Sequence, residues 1–164
     1  MIKLETMIGE ISTGMISVHT GDKTFFNITD QQHAIKVQQI VKKGIYYGYI
    51  KLVIEGNVLF EHYHVQIIAA QWLRYIELFE QFLKQGHVQA EVPTFLELKR
   101  IDADTLSIQV RDTLFIFSCR EFMDQFILAA LEYFTLHEQI ANDGIYEDMI
   151  THLHQWQAKL YVTE

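Results

Sequence analysis

The apolar positions of this 164-residue chain repeat with two different periods, and the longest coherent signal is helical. Ser118 is followed three residues on by Glu121, the spacing at which a serine oxygen accepts from a first-turn amide and the glutamate reaches back to the serine amide. Phe122, Phe126, Ala129, Tyr133 and His137 then fall on one stripe, with Met123, Ile127, Ala130 and Phe134 beside it. That pattern predicts an amphipathic helix over 119–140. Ile68, Trp72, Tyr75, Phe79 and Phe82, spaced 4, 3, 4 and 3, predict a helix over 66–84 that Gln85-Gly86 ends. After a turn at Asn142-Asp143-Gly144, Tyr146, Met149, Ile150, Leu153, Trp156 and Leu160 predict a third over 145–161.

Elsewhere the period is two. Leu106–Val110 and Thr113–Phe117 read as strands feeding the 119–140 helix and as its expected packing partner. Phe95–Ile101 pairs with Leu106–Val110 across Asp102-Ala103-Asp104, and residues 87–93 read as a loop ending at Pro93. Tyr49–Ile54 and Val58–His64 flank the hairpin loop Glu55-Gly56-Asn57. In residues 1–28, Ile16 and Val18 alternate with Met15, Ser17 and His19, Thr20-Gly21-Asp22 is a turn and Lys23–Ile28 returns; Met1–Glu10 carries a weaker strand pattern. Residues 30–43 fit either period. Thr29 and Gln32 suit a capping box and Ala34, Val37, Ile40 and Val41 a helical stripe, yet Ile35, Val37 and Val41 also alternate with polar residues. Four of the nine residues from Ala34 to Lys42 are β-branched, which favours a strand ending at Lys42-Lys43-Gly44. The expectation is one α+β domain over 1–164, an antiparallel sheet of about seven to nine strands with three amphipathic helices mainly on one face.

Composition narrows the class. At 49% apolar and 21% charged residues the chain has the profile of a soluble globule. Apolar runs such as Phe126–Leu131 fall far short of the ~20 residues of a membrane span. The N-terminus has no basic segment leading into a hydrophobic core, and the single Cys119 excludes an intramolecular disulfide. A cytoplasmic setting is expected. Residues 121–164 hold eight acids against Lys159 alone, a net of −7. Such a surface repels phosphate backbones and disfavours nucleic acid, while it would attract a basic protein partner. Glu132, Glu138, Glu147 and Asp148 are the candidate contacts; the alternative is that these acids serve solubility.

Candidate chemistry is sparse. His62 and His64 would share a face of a strand, as two ligands of one ion must, but no third ligand is identifiable, although His19, His87 or Glu61 could fold nearby. Two histidines at a strand end are ordinarily polar surface, and no metal or cofactor is expected. His152 and His154, if helical, point roughly 200° apart and cannot chelate together. Cys119 falls in a first helical turn beside Arg120, where the macrodipole would lower a thiol pKa, yet a nucleophile needs a base and packing is the plainer role. There is no G-x-S-x-G, Walker loop, G-x-G-x-x-G or H-E-x-x-H. Tyr46, Tyr47 and Tyr49 beside Gly48 suit the core, or a contact patch.

The run Tyr46-Tyr47-Gly48-Tyr49-Ile50-Lys51-Leu52, the hairpin Glu55-Gly56-Asn57 and the helix with Gln71-Trp72-Leu73 resemble a family of small uncharacterised cytosolic proteins from Bacillus-like bacteria. Their hairpin–helix layout is similar to that of immunity proteins of bacterial toxin systems. The resemblance covers about half the chain and implies a binding role, with no catalytic residues to carry over. The leading expectation is therefore a non-catalytic protein-binding module, an immunity-type inhibitor of a basic partner. The alternatives are a small enzyme or metal protein using Cys119 or His62/His64, and a homo-oligomeric structural protein, a homodimer for instance, pairing through a strand edge or helix face.

Overall fold

A computed structural model describes residues 1–9, 25–59, 66–91 and 95–161. The described elements run in the order β1 (Ile2–Gly9), β2 (Phe25–Asn27), α1 (Ala34–Val41), β3 (Tyr47–Ile54), β4 (Asn57–Val58), β5 (Gln66–Ile67) and α2 (Ile68–Gln85), followed by β6 (His87–Ala90), β7 (Leu96–Arg100), β8 (Thr105–Val110), β9 (Thr113–Ser118), α3 (Cys119–Ala141) and α4 (Glu147–Tyr161). The α+β class holds, with nine strands and four helices among the described residues. The strands form two antiparallel sheets rather than one: β2-β1-β3-β4 with β5 also on β3, and the meander β6-β7-β8-β9. The predicted turn Thr20-Gly21-Asp22 and most of the predicted strand Val58–His64 lie outside the described residues.

The three predicted helices form at nearly the expected bounds. Ser118 caps α3 by accepting from the Glu121 amide, and Gly86 ends α2 in the left-handed conformation at φ 72°. Two expectations are corrected. Residues 34–41 are helical, not a strand: Val37, Ile40 and Val41 are buried while Ile35 is 74% exposed, a three-to-four spacing that alternation cannot produce. Asp30 starts this segment, accepting from the Gln32 amide at 2.9 Å, and burial of one stripe overrides the β-branched preference. Residues 87–90 are a strand rather than loop, because pairing with β7 completes what four residues of alternation only suggest.

The weakly patterned N-terminus supplies an inner strand of the first sheet, between β2 and β3. Ile2, Leu4, Thr6 and Ile8 of β1 lie opposite Ile54, Leu52, Ile50 and Gly48 of β3. Thr6 is buried among apolar neighbours and its hydroxyl accepts from the Trp72 indole at 3.1 Å. Gly48 is required where it stands, since a Cβ there would overlap the Met7 carbonyl oxygen. α3 lies chiefly along β1 and α4, and only its start meets β9, so the strands preceding it are not its main partner. Trp72 stacks on Tyr133, and Phe79 on Phe126 with centroids 4.4 Å apart. The cores of the two sheets merge around a hollow of about 40 Å³ bounded by Leu4 and Leu52 on one side and Leu98 and Ile108 on the other. No helix among the described residues is long and apolar enough to cross a membrane.

Candidate functional site

The residues singled out by sequence are dispersed. His62 and His64 lie outside the described residues. Cys119 is buried at the first turn of α3, its amide donating to the Asp104 carbonyl at 2.7 Å. Burial pushes its thiol up despite the opposing pull of Arg100, so the lowering expected from the helix terminus does not prevail. Tyr46 and Tyr49 are core residues, the latter edge-on to Phe25, rather than a contact patch. Of the four acids, Glu147 and Asp148 are exposed on the first turn of α4. Glu132 stands nearly two turns before Glu138 on α3, beside a cleft that Lys3 and Asn27 help to line. Partial burial raises its carboxyl, with Lys3 opposing and Glu5 adding to the effect. Glu138 is tied into the α3–α4 turn, accepting from the Gly144 amide at 2.9 Å and the Tyr146 amide at 2.7 Å.

Among the described residues, that turn brings His137, Glu138 and Asp143 together. Asn142, left-handed at φ 51°, closes α3 by donating its amide to the Glu138 carbonyl, and Gly144 at φ 73° carries the chain back toward the helix. His137, 6% exposed, lies on the last turns of α3. Its Nδ1 is 2.8 Å from the Tyr46 hydroxyl, which is 3.0 Å from that of Tyr133. Burial pushes both phenols above their ordinary range. The Tyr146 ring stands edge-on to the imidazole. The other ring nitrogen, Nε2, is buried without a hydrogen-bond partner, 3.7 Å from Asp143 Oδ2. More exposed histidines are paired instead: His87 with Glu97 at 2.7 Å and His152 with Glu80 at 3.1 Å. A cavity of about 480 Å³ adjoins this corner, lined by Val41, Lys42, His137, Asp143 and Tyr146 among others. Sequence reasoning placed His137 on the apolar stripe of α3 without assigning it a role; a histidine at a core-facing position was the available signal.

A second feature lies on the other sheet. Among the described residues β9 pairs with β8 alone and is an edge strand. Ile116 and Leu114 stand opposite Ser107 and Gln109, on the face that also carries Glu97, Lys99, His87 and Gln89. On this otherwise polar face Leu114 and Ile116 are 59% and 60% exposed. Compared with protein-family models, curated proteins and solved structures, the chain matches none.

Proposed function

We propose that the protein is a non-catalytic protein-binding module that captures a basic partner by accepting an extended strand of that partner on the edge of β9, as an immunity-type inhibitor. The observation that carries this reading is the pair Leu114 and Ile116, exposed on an edge strand at the border of a polar sheet face. A sheet edge offers a row of backbone donors and acceptors to any extended chain, and folded proteins ordinarily guard it with lysine, proline or a bulge. Residues 113–118 hold none of these guards and no charge. Backbone pairing would supply affinity and the two apolar side chains selectivity. The occupant is a cationic protein rather than a second copy: the chain carries a net charge of −8, which attracts a basic chain and repels its own kind. The hairpin–helix resemblance to immunity-type proteins points the same way.

Two measurements test the reading. Sedimentation of the purified protein is expected to give a monomer. Capture from the source cell with wild type, Leu114→Lys and Ile116→Lys is expected to recover one basic protein, held at least about tenfold less tightly by the lysine variants and associating more slowly at high salt. A partner bound equally by all three proteins overturns the proposal, as does the absence of any basic partner. A dimer that Ile116→Lys dissociates would show that the edge serves self-assembly.

A further inference from the structure

We infer that the α3–α4 corner is a divalent metal site, with His137 Nε2, a Glu138 carboxylate oxygen and Asp143 Oδ2 as protein ligands and a first-row transition ion of the Zn²⁺ class as the cation. His62 and His64 lack an identifiable third ligand in the sequence, whereas at this corner three candidate ligands meet. One ligand atom from each of His137, Glu138 and Asp143 lies within 4.8 Å of the others. This convergence does not follow from helix geometry, since adjacent helical residues diverge by about 100°. It depends on the chain reversal at left-handed Asn142, which places Asp143 back at the helix end.

The histidine gives the independent observation. A buried imidazole nitrogen ordinarily finds a hydrogen bond, and His137 Nε2 has none. Its 3.7 Å separation from Asp143 Oδ2 is beyond hydrogen-bond length. Two ligands on a tetrahedral ion with bonds of about 2.1 Å stand about 3.4 Å apart, so a small closing movement seats a cation between them. The supporting contacts suit that role. In the tautomer with Nδ1–H donating to the Tyr46 oxygen, and with Tyr46 donating in turn to Tyr133, Nε2 keeps a free lone pair 3.7 Å from Asp143 Oδ2. A lone pair beside two anions calls for a cation, and orientation of a ligating ring through its other nitrogen is the ordinary outer-shell arrangement. The carboxylates are oriented too, Glu138 by the Gly144 and Tyr146 amides and Asp143 by the Ile145 amide on Oδ1. One imidazole with two carboxylates suits Zn²⁺, Co²⁺ or Mn²⁺ over softer ions. Three protein ligands leave a coordination position for solvent from the adjoining cavity.

The test uses the full chain stripped with a chelator and titrated calorimetrically with Zn²⁺ alone, then with Co²⁺ followed by its visible absorption. One equivalent per chain is expected, with a four- or five-coordinate Co²⁺ spectrum. Asp143 is exposed, so Asp143→Asn is expected to keep the fold and carries the decision: affinity is expected to fall at least about tenfold with an unchanged thermal melt before metal is added. His137→Gln is expected to abolish binding, and His87→Ala to leave it unchanged. No saturable binding at millimolar Zn²⁺ overturns the inference and assigns Nε2 a proton directed at Asp143. Binding that survives Asp143→Asn, or that is lost on His62→Ala instead, overturns it in favour of another site.

Discussion

Glu5 stands on the outer side of β1 and ties three strands together. Its carboxylate accepts from Asn27 Nδ2 of β2 at 3.0 Å and pairs with Lys3 at 2.7 Å and with Lys51 of β3 at 3.3 Å. Burial pushes the carboxyl up, but the two lysines together outweigh it and hold the group below its ordinary 4.5. A carboxyl depressed in the folded state contributes stability that is fully present above the unfolded value and is lost as pH falls through the folded one. Glu5→Gln is therefore expected to cost about 1 kcal/mol at pH 7, an amount discounted for solvent screening, and to remove part of the acid-induced loss below pH ~4.5. Urea melts of both proteins from pH 3 to 7 read this directly; parallel curves across that range would show that the lysines do not stabilise the carboxylate. The sequence shows only a weak strand pattern over Met1–Glu10, and nothing in it marks the place of β1 between β2 and β3. Thr6 interrupts the apolar series, and the reason it belongs there is the indole of Trp72, 66 residues away.

The longer elements were legible because each has enough turns to repeat its pattern. α2 and α3 each bury a stripe that periodicity alone marks out, and caps such as Ser118 and Gly86 fix their ends locally. Short elements were less legible, for the decision there is made by neighbours. α1 has eight residues whose apolar positions satisfy both periods, and packing against α3 and β1 selects the helix. The choice has a measurable consequence. A strand would turn Ile35 and Val37 to one side, whereas the helix exposes Ile35 and buries Ile40 at 1%. Ile35→Lys is expected to change stability by less than about 0.5 kcal/mol and Ile40→Ala to cost about 2–5 kcal/mol, as seen by chemical denaturation. Comparable losses at the two positions would contradict the helical face. The His137 corner was hidden for the same reason as α1. Its histidine could be read on the stripe, but Tyr46 is distant in the chain and Asp143 joins it only through left-handed Asn142.

Sequence pattern specified antiparallel strands and appended helices, yet it could not show that the strands divide into two sheets, because sheet membership depends on pairings between distant segments. What joins the sheets is aromatic packing between α2 and α3. Phe126 stacks on Phe79, meets Trp72 edge-on and borders the hollow where Leu4 and Leu52 of one sheet approach Leu98 and Ile108 of the other. Removing its ring would enlarge that hollow at the point shared by both layers. Phe126→Ala is expected to cost about 3–5 kcal/mol through lost burial and the cavity left behind. Since the hollow belongs to both sheets, the loss should be felt equally in each. Native-state hydrogen exchange can read this: the slowest amides of β3 and of β8 are expected to lose protection by the same free energy, equal to the loss measured by denaturation. If β8 kept its wild-type protection while β3 exchanged faster, the two sheets would be separately stable units, and the shared core around Phe126 would not be what makes the molecule unfold as one.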